Sequence, residues 1–193
     1  MQKFLTIAVT TICAAGLLTA TDAEAATKPS ILKVGKTYKV DLNGGKKETI
    51  KVVKYQGKYE TGIKLVVNGK TLAKREHIPS PWEFAVADFI KGDKYREILL
   101  CQHPSDVSNI RCNIYRYKGG KLVQAKYKFS LAYASYDGSE TSSKPNNVPA
   151  GMKVSTIKIG SGGKFTTKYG YDGMGTLKSV KLKLNAKFQI VKA

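Results

Sequence analysis

Acidic residues and histidine are scarce in this sequence, which limits the kinds of active site it can build. The chain has 193 residues, with 14 Asp or Glu, 33 Lys or Arg and two His, for a formal net charge of +19. It contains no G-x-S-x-G, H-E-x-x-H or phosphate-binding loop motif. These motifs place nucleophiles, zinc ions and nucleotides in many enzymes. Their absence favours a non-catalytic protein.

The two histidines, His77 and His103, do not change this conclusion. His103 opens the segment "HPSD", which holds the three residue types of a hydrolytic triad. A triad needs side chains that converge on one substrate from separate elements, and neighbours in one turn do not meet that need. Two carboxylates that come together in space would still suit glycoside cleavage. An unrecognised exported hydrolase therefore remains an alternative.

Arginine is rare as well, because only four of the 33 basic residues are Arg and 29 are Lys. Lys carries a hydrated point charge, whereas the forked guanidinium of Arg is suited to reading phosphate groups. The composition therefore disfavours specific nucleic-acid recognition. It favours a Lys-rich binder of anionic cell-envelope polymers, the partner being an anionic cell-wall polymer or a carbohydrate attracted by net charge.

The sequence also lacks a strongly apolar run long enough to span a membrane. Residues 4–20 are apolar but are interrupted by four Thr and a Gly, whereas a spanning helix needs about 20 predominantly apolar residues. Lys3 precedes this run and "AEA" at 23–25 follows it, as in a cleaved signal peptide. We predict a signal peptide at 1–25, an N-terminal segment at 26–35, and a secreted or cell-wall-associated protein with no membrane span after cleavage.

Cysteine is sparse, and only Cys101 and Cys112 remain beyond the predicted signal peptide. An even number of cysteines in an exported protein favours a disulfide. The segment between them is rich in turn-forming residues, so they lie on the two arms of a predicted hairpin, where directly opposed residues are within disulfide range. We predict a Cys101–Cys112 disulfide. A reduced pair packed as small apolar side chains is the alternative.

No segment shows the period of an amphipathic helix. In "KTYKVDL", "GIKLVV" and "SVKLKL", apolar residues alternate with polar ones, which indicates half-buried strands whose lysines point outward. "EILLC" at 97–101 is apolar almost throughout, which predicts a central strand covered on both faces. The predicted fold class is all-β with few helices.

A repeated pattern divides residues 36–193 into three four-stranded antiparallel units at about 36–80, 82–134 and 150–193, with a polar loop at 135–151. Each unit has two strands joined by a Gly-containing turn, a variable loop, and two more strands joined by a short turn. Four-stranded units of this kind are typical of β-propeller blades, and three of them predict a partial or open propeller. The short turns are predicted at Asn68-Gly69, Gly119-Gly120 and Asn185-Ala186.

The segment "VADFIKGDKYREILL" at 86–100 resembles the FG-GAP/VCBS propeller repeat of integrin-alpha-like proteins, in which D-x-(D/N)-x-D-G-x-x-E joins two strands. "VDLNGGKKETIKV" at 40–52 resembles a shortened copy. The resemblance implies a secreted, non-catalytic binding module whose loops hold Ca²⁺ through oxygen atoms. The implied ligands are Asp88, Asp93 and Glu97 in one loop and Asp41, Asn43 and Glu48 in the other.

The loops also allow a purely structural interpretation. Ile90 occupies one of the ligand positions, and the third copy, "KIGSGGKFT" at 158–166, has no carboxylate. In this alternative, Asp caps the backbone of the turn and Glu pairs with a nearby Lys.

Tyrosine is the abundant aromatic residue, with 11 Tyr against one Trp. Tyr115, Tyr117 and Tyr127 are interleaved with basic residues, which suits a surface that stacks on sugars or bases. The alternative is cross-strand packing, in which aromatic residues are favoured for their own sake.

Overall fold

The computed structural model describes residues 27–58, 61–76, 82–102, 111–129, 132–134, 140–142, 152–169 and 177–193. The predicted signal peptide at 1–25, both histidines and most of the predicted loop at 135–151 lie outside these ranges.

The described part of the chain is built from β-strands, and its one helical segment is a 3₁₀ turn at Val154–Thr156. The all-β prediction is confirmed. Among the described residues, no helix has the length and apolar character to cross a membrane. In chain order the strands are β1 (Ser30–Ile31), β2 (Thr37–Val40), β3 (Glu48–Gln56), β4 (Thr61–Val67), β5 (Lys70–Glu76), β6 (Trp82–Ala87), β7 (Glu97–Gln102), β8 (Arg111–Lys118), β9 (Lys121–Gln124), β10 (Lys126–Tyr127), β11 (Ala132–Ala134), β12 (Glu140–Ser142), β13 (Lys158–Ile159), β14 (Lys164–Tyr169), β15 (Lys178–Leu184) and β16 (Gln189–Lys192).

The strands form three main sheets. The N-terminal sheet has the order β2-β3-β4-β5, the central sheet β1-β6-β7-β8-β9, and the C-terminal sheet β10-β16-β15-β14-β13. A separate hairpin pairs β11 with β12. Neighbouring strands are antiparallel except for β10 and β16, which are parallel. None of these described sheets closes into a barrel.

Two strands pair outside the sequence segments to which they belong. β1, from the predicted segment 26–35, pairs with β6 of the central sheet. β10, from the predicted unit 82–134, pairs with β16 of the C-terminal sheet. Thr27 adds a bridge to Ile159. Backbone hydrogen bonds therefore join the units, and the local strand pattern did not predict these pairings.

The central sheet is buried on both faces, as predicted for the segment 97–101. Ile98 and Leu100 pack on the N-terminal sheet in a cluster that includes Ile50, Val52 and Leu65. Leu99 packs in a second cluster that includes Phe165, Leu182 and Leu184 of the C-terminal sheet. Full burial of one such aliphatic side chain stabilises the fold by about 1.5–3 kcal/mol. The two clusters hold the three sheets together.

Cys101 and Cys112 are directly opposed in the register of β7 and β8, with their Cα atoms 4.0 Å apart. Both side chains are buried, and their sulfur atoms are within bonding distance. The structure thus confirms the predicted pairing.

Two of the three predicted short turns are confirmed. Asn68-Gly69 and Gly119-Gly120 have positive φ at both positions, as a two-residue type I′ hairpin requires. The prediction at Asn185-Ala186 is wrong about length. There the turn covers 185–188, and its positive φ of 56° falls at Phe188, while the Asn185 side chain accepts a hydrogen bond from the Gln189 N–H. The side-chain bond closes this longer turn.

Candidate functional site

Three loops, one from each main sheet, lie side by side at one end of the molecule: they join β2 to β3, β6 to β7 and β13 to β14. The loop at 41–47 contacts the loop at 88–96, where the Arg96 N–H donates to the Leu42 carbonyl at 3.3 Å. A Cβ on Gly44 would lie only 2.5 Å from Cβ of Lys94, so the absence of a side chain permits this approach. On the other side, a Cβ on Gly163 would lie 3.2 Å from Ile90. This loop end carries every residue of the predicted calcium sites.

In the loop of the N-terminal sheet, the polar groups satisfy one another. Asp41 Oδ1 accepts the backbone N–H groups of Asn43, Gly44 and Gly45 at 3.1, 2.7 and 3.1 Å. Glu48 is buried, and its two oxygens accept the Leu42 N–H at 2.9 Å and the Asn43 Nδ2 at 2.8 Å. The hydrogen bond from the Asn43 N–H lowers the pKa of Asp41, and the bonds from Gly44 and Gly45 add to this effect. Together they outweigh desolvation, which would raise the pKa. Asp41 therefore caps the turn, and Glu48 closes it.

In the loop of the central sheet, an arginine holds two of the three predicted ligands. Arg116 on β8 donates from Nε to Glu97 at 2.8 Å and from Nη2 to Asp93 at 2.7 Å. Its guanidinium lies 4.5 Å from the ring centre of Tyr95 and 4.6 Å from that of Phe188. Such cation–π contacts add to the charge pairing. Arg116 is the cation that neutralises these two carboxylates.

Glu97 is fully buried at the start of β7. Its second oxygen accepts the Phe89 N–H at 3.2 Å, just as Glu48 accepts the N–H of Leu42. Burial raises the pKa of Glu97, and the hydrogen bond and charge of Arg116 oppose that rise. Because the carboxylate is out of contact with water, its ionised form depends on Arg116.

Asp88 differs from its counterpart Asp41. Each of the two residues is followed by a residue whose N–H donates to the buried glutamate of its loop: Phe89 to Glu97 after Asp88, and Leu42 to Glu48 after Asp41. Asp41 Oδ1 accepts three N–H groups, but Asp88 Oδ1 is buried and accepts no hydrogen bond from the described residues. The fold therefore gives the Asp88 carboxylate no donor at this oxygen.

The residues present do not fit the calcium ion that the resemblance implies. Ca²⁺ takes six to eight oxygen ligands, several of them from carboxylates. Here Asp93 and Glu97 point to Arg116, and Asp41, Asn43 and Glu48 are bonded to one another or to backbone N–H groups. Within the described ranges, no group of three or more His, Cys, Asp or Glu could hold a metal ion. The role of Arg116 was not predicted from the sequence. The signal was present, because a hairpin register that pairs residue 101 with 112 also pairs 97 with 116.

On the outer face of the C-terminal sheet, which we call the lysine face, the charged side chains of the described residues are all lysines. Strand alternation buries Phe165, Leu182 and Leu184 and leaves lysines on the opposite side. Lys164 is directly opposite Lys183 across β14 and β15, and Lys158 and Lys181 flank Thr166. The strands of this sheet contain no Asp or Glu. The exposed lysines of the face are Lys126, Lys158, Lys164, Lys168, Lys181 and Lys183.

The three predicted tyrosines do not form one surface. Tyr127 is fully buried, and its hydroxyl donates to the Cys112 carbonyl at 2.9 Å. Its assignment to a binding surface is therefore corrected: it belongs to the core, because it faces inward on β10. Tyr115 and Tyr117 are half-buried and pack against the cluster between the N-terminal and central sheets. This placement fits the cross-strand packing alternative.

No protein-family model, curated protein or solved structure matches this chain. The resemblance to FG-GAP repeats therefore stays a prediction from the segments 40–52 and 86–100.

Proposed function

We propose that this protein is a secreted, non-catalytic binding module that holds an anionic cell-envelope polymer against its lysine face. The observation that carries the proposal is the set of six exposed lysines on a sheet whose strands contain no carboxylate. An unbroken field of one charge concentrates and orients a polymer of the opposite charge.

The arrangement of the lysines favours a polymer over a single small anion. Lys164 and Lys183 are directly opposed, and like charges in that position repel and destabilise a sheet. An anionic group between them relieves the repulsion. Lys181 and Lys183 are two residues apart on β15 and so about 7 Å apart along the strand, and neighbouring strands are about 4.8 Å apart. A chain with an anion in every repeating unit can engage several of these charges together.

The loop chemistry supports the non-catalytic part of the proposal. Asp93 and Glu97 both bond Arg116, and that guanidinium is enclosed between two aromatic rings. Both carboxylates are therefore engaged in a structural ion pair, whereas a general acid or base has to reach the substrate.

The test is retention on immobilised poly(glycerol phosphate) at increasing NaCl concentration. The lysine-face variant Lys164→Gln/Lys181→Gln/Lys183→Gln is compared with Lys39→Gln/Lys51→Gln/Lys64→Gln, which removes the same charge from the outer face of the N-terminal sheet. On DNA each contacted phosphate adds about 0.9 to the slope of log affinity against log salt. Loss of three contacts should lower the slope by up to roughly 2–3, and the control should retain the wild-type slope.

Three results would reject the proposal. Equal losses in both triple variants would mean that net charge alone attracts the polymer. Tighter binding to double-stranded DNA, with the same loss on the lysine face, would identify nucleic acid as the partner. Depolymerisation of the phosphate polymer by the purified protein would make it an enzyme.

We also propose that the three main sheets are blades of an open, propeller-like stack, and that the secreted chain begins at Ala26. The side-by-side loops and the burial of the central sheet on both faces support the first proposal. An experimental structure with the sheets apart would refute it. N-terminal sequencing of protein from the culture medium tests the second, and an intact residue 1 would contradict it.

A further inference from the structure

A cleft of about 490 Å³ opens between the central and N-terminal sheets, on the opposite side of the central sheet from the lysine face. Apolar side chains line it, among them Leu32 just after β1, Val40 on β2 and Val86 on β6. Its volume is within the range of about 300–1,000 Å³ that small-molecule sites occupy.

Asp88 lines this cleft. Its Oδ1 is buried and accepts no hydrogen bond from the described residues, whereas Asp41 in the equivalent position accepts three. Buried polar oxygens in folded proteins nearly always have a partner. The χ2 torsion of Asp is soft, so rotation of the carboxylate can present an oxygen to the cleft. A hydrogen-bond donor on a molecule in the cleft would satisfy this carboxylate.

Cationic side chains also line the cleft. Lys28 and Arg96 are exposed, and Lys91 stands in the same loop as Asp88. Ser30 and Tyr38 add hydroxyl groups. A carboxylate beside several cations complements a ligand that combines an anionic group with hydrogen-bond donors. The apolar wall of the cleft can pack against the C–H face of a sugar ring.

We infer that this cleft binds a small hydroxylated anion, a sugar acid or a sugar phosphate. Hydroxyl groups of the ligand donate to Asp88, and its anionic group pairs with Arg96 and the neighbouring lysines. The site is separate from the lysine face, so the inference does not depend on polymer binding.

The test is isothermal titration calorimetry with glucuronate and glucose 6-phosphate, and with glucose and inorganic phosphate as partial ligands. At least one of the two acidic sugars should bind, and the partial ligands should bind at least tenfold more weakly. Asp88→Ala and Arg96→Gln should each weaken binding at least tenfold. Val40→Phe should block it by filling the cleft without any change of charge. The triple lysine-face variant should bind like the wild type, which separates this test from that of the proposed function.

The inference is overturned if neither acidic sugar binds or if inorganic phosphate binds as tightly as glucose 6-phosphate. It is also overturned if Asp88→Ala binds like the wild type. Should Asp88→Ala fail to fold, Val40→Phe and Arg96→Gln decide the question, since unchanged binding in both would place the ligand elsewhere.

Discussion

Replacing Arg116 with Met removes the cation that neutralises Glu97, and we expect a large loss of stability. Glu97 is fully buried and hydrogen-bonded to Arg116 at 2.8 Å. Removal of one partner from a buried ion pair typically costs 3–5 kcal/mol, because the other charge is left without compensation. Asp93, whose side chain is 26% exposed, can be solvated and adds less. The predicted decrease in the free energy of unfolding is about 3–5 kcal/mol at pH 7.

Urea denaturation of the wild type and Arg116→Met at pH 7 measures this loss. Arg96→Met is the matched control, since Arg96 is exposed in the same loop end and should change stability by only about 0.5 kcal/mol. Adding Glu97→Gln to Arg116→Met should restore part of the loss, because Gln is neutral and still accepts the Phe89 N–H. The two substitutions should therefore be far from additive.

The pH dependence gives an independent check. Burial raises the pKa of Glu97 and Arg116 opposes that rise, so the variant should have a higher folded-state pKa than the wild type. A carboxyl group with a raised folded-state pKa stabilises the fold at low pH and loses that contribution as the pH rises through the folded value. The deficit of Arg116→Met should therefore shrink as the pH falls from 7 towards about 5. A loss below about 1 kcal/mol, a deficit that does not change with pH, or additive substitutions would refute the reasoning.

Further predictions concern the disulfide, the two aspartates, calcium and a packed glycine. Reduction of Cys101–Cys112 should lower the free energy of unfolding by about 2–3 kcal/mol by releasing a short loop; denatured, unreduced protein that titrates two free thiols would contradict the pairing. Asp41→Ala should lower the melting temperature because it removes the acceptor of three backbone N–H groups, whereas Asp88→Ala should leave the melting temperature unchanged or raise it; equal losses would show that the fold uses both carboxylates alike. Millimolar Ca²⁺ should not shift the melting curve, because Arg116 already binds two of the implied ligands; a rise that Asp88→Ala abolishes would restore the calcium hypothesis. Gly62→Ala should destabilise by roughly 1–3 kcal/mol through overpacking, since its Cβ would meet the Tyr55 ring and the Arg75 carbonyl; a stability equal to the wild type would mean that the strands move apart easily.

The local pattern of the sequence determined which segments are strands and which side chains face outward. Period-two alternation is a property of the strand itself, so the outward lysines of β15 and the buried run at 97–101 were predictable before any pairing was known. The Asn68-Gly69 turn and the opposed cysteines were also predictable, because a hairpin joins neighbouring segments and leaves few registers. The same register places Arg116 opposite Glu97, so that ion pair was open to prediction and was missed because the carboxylates were assigned to a metal.

Only the tertiary structure decided how the sheets exchange strands and stack. The pairing of β1 with β6 and of β10 with β16 joins segments that no short turn connects, and alternation along a strand does not specify its partner. These pairings bury Tyr127, which its basic neighbours had placed on a surface. They also bring the edge strand β1 beside β2 and so form the cleft that Asp88 lines. Strand identity is local, but pairing and burial depend on which distant apolar faces meet.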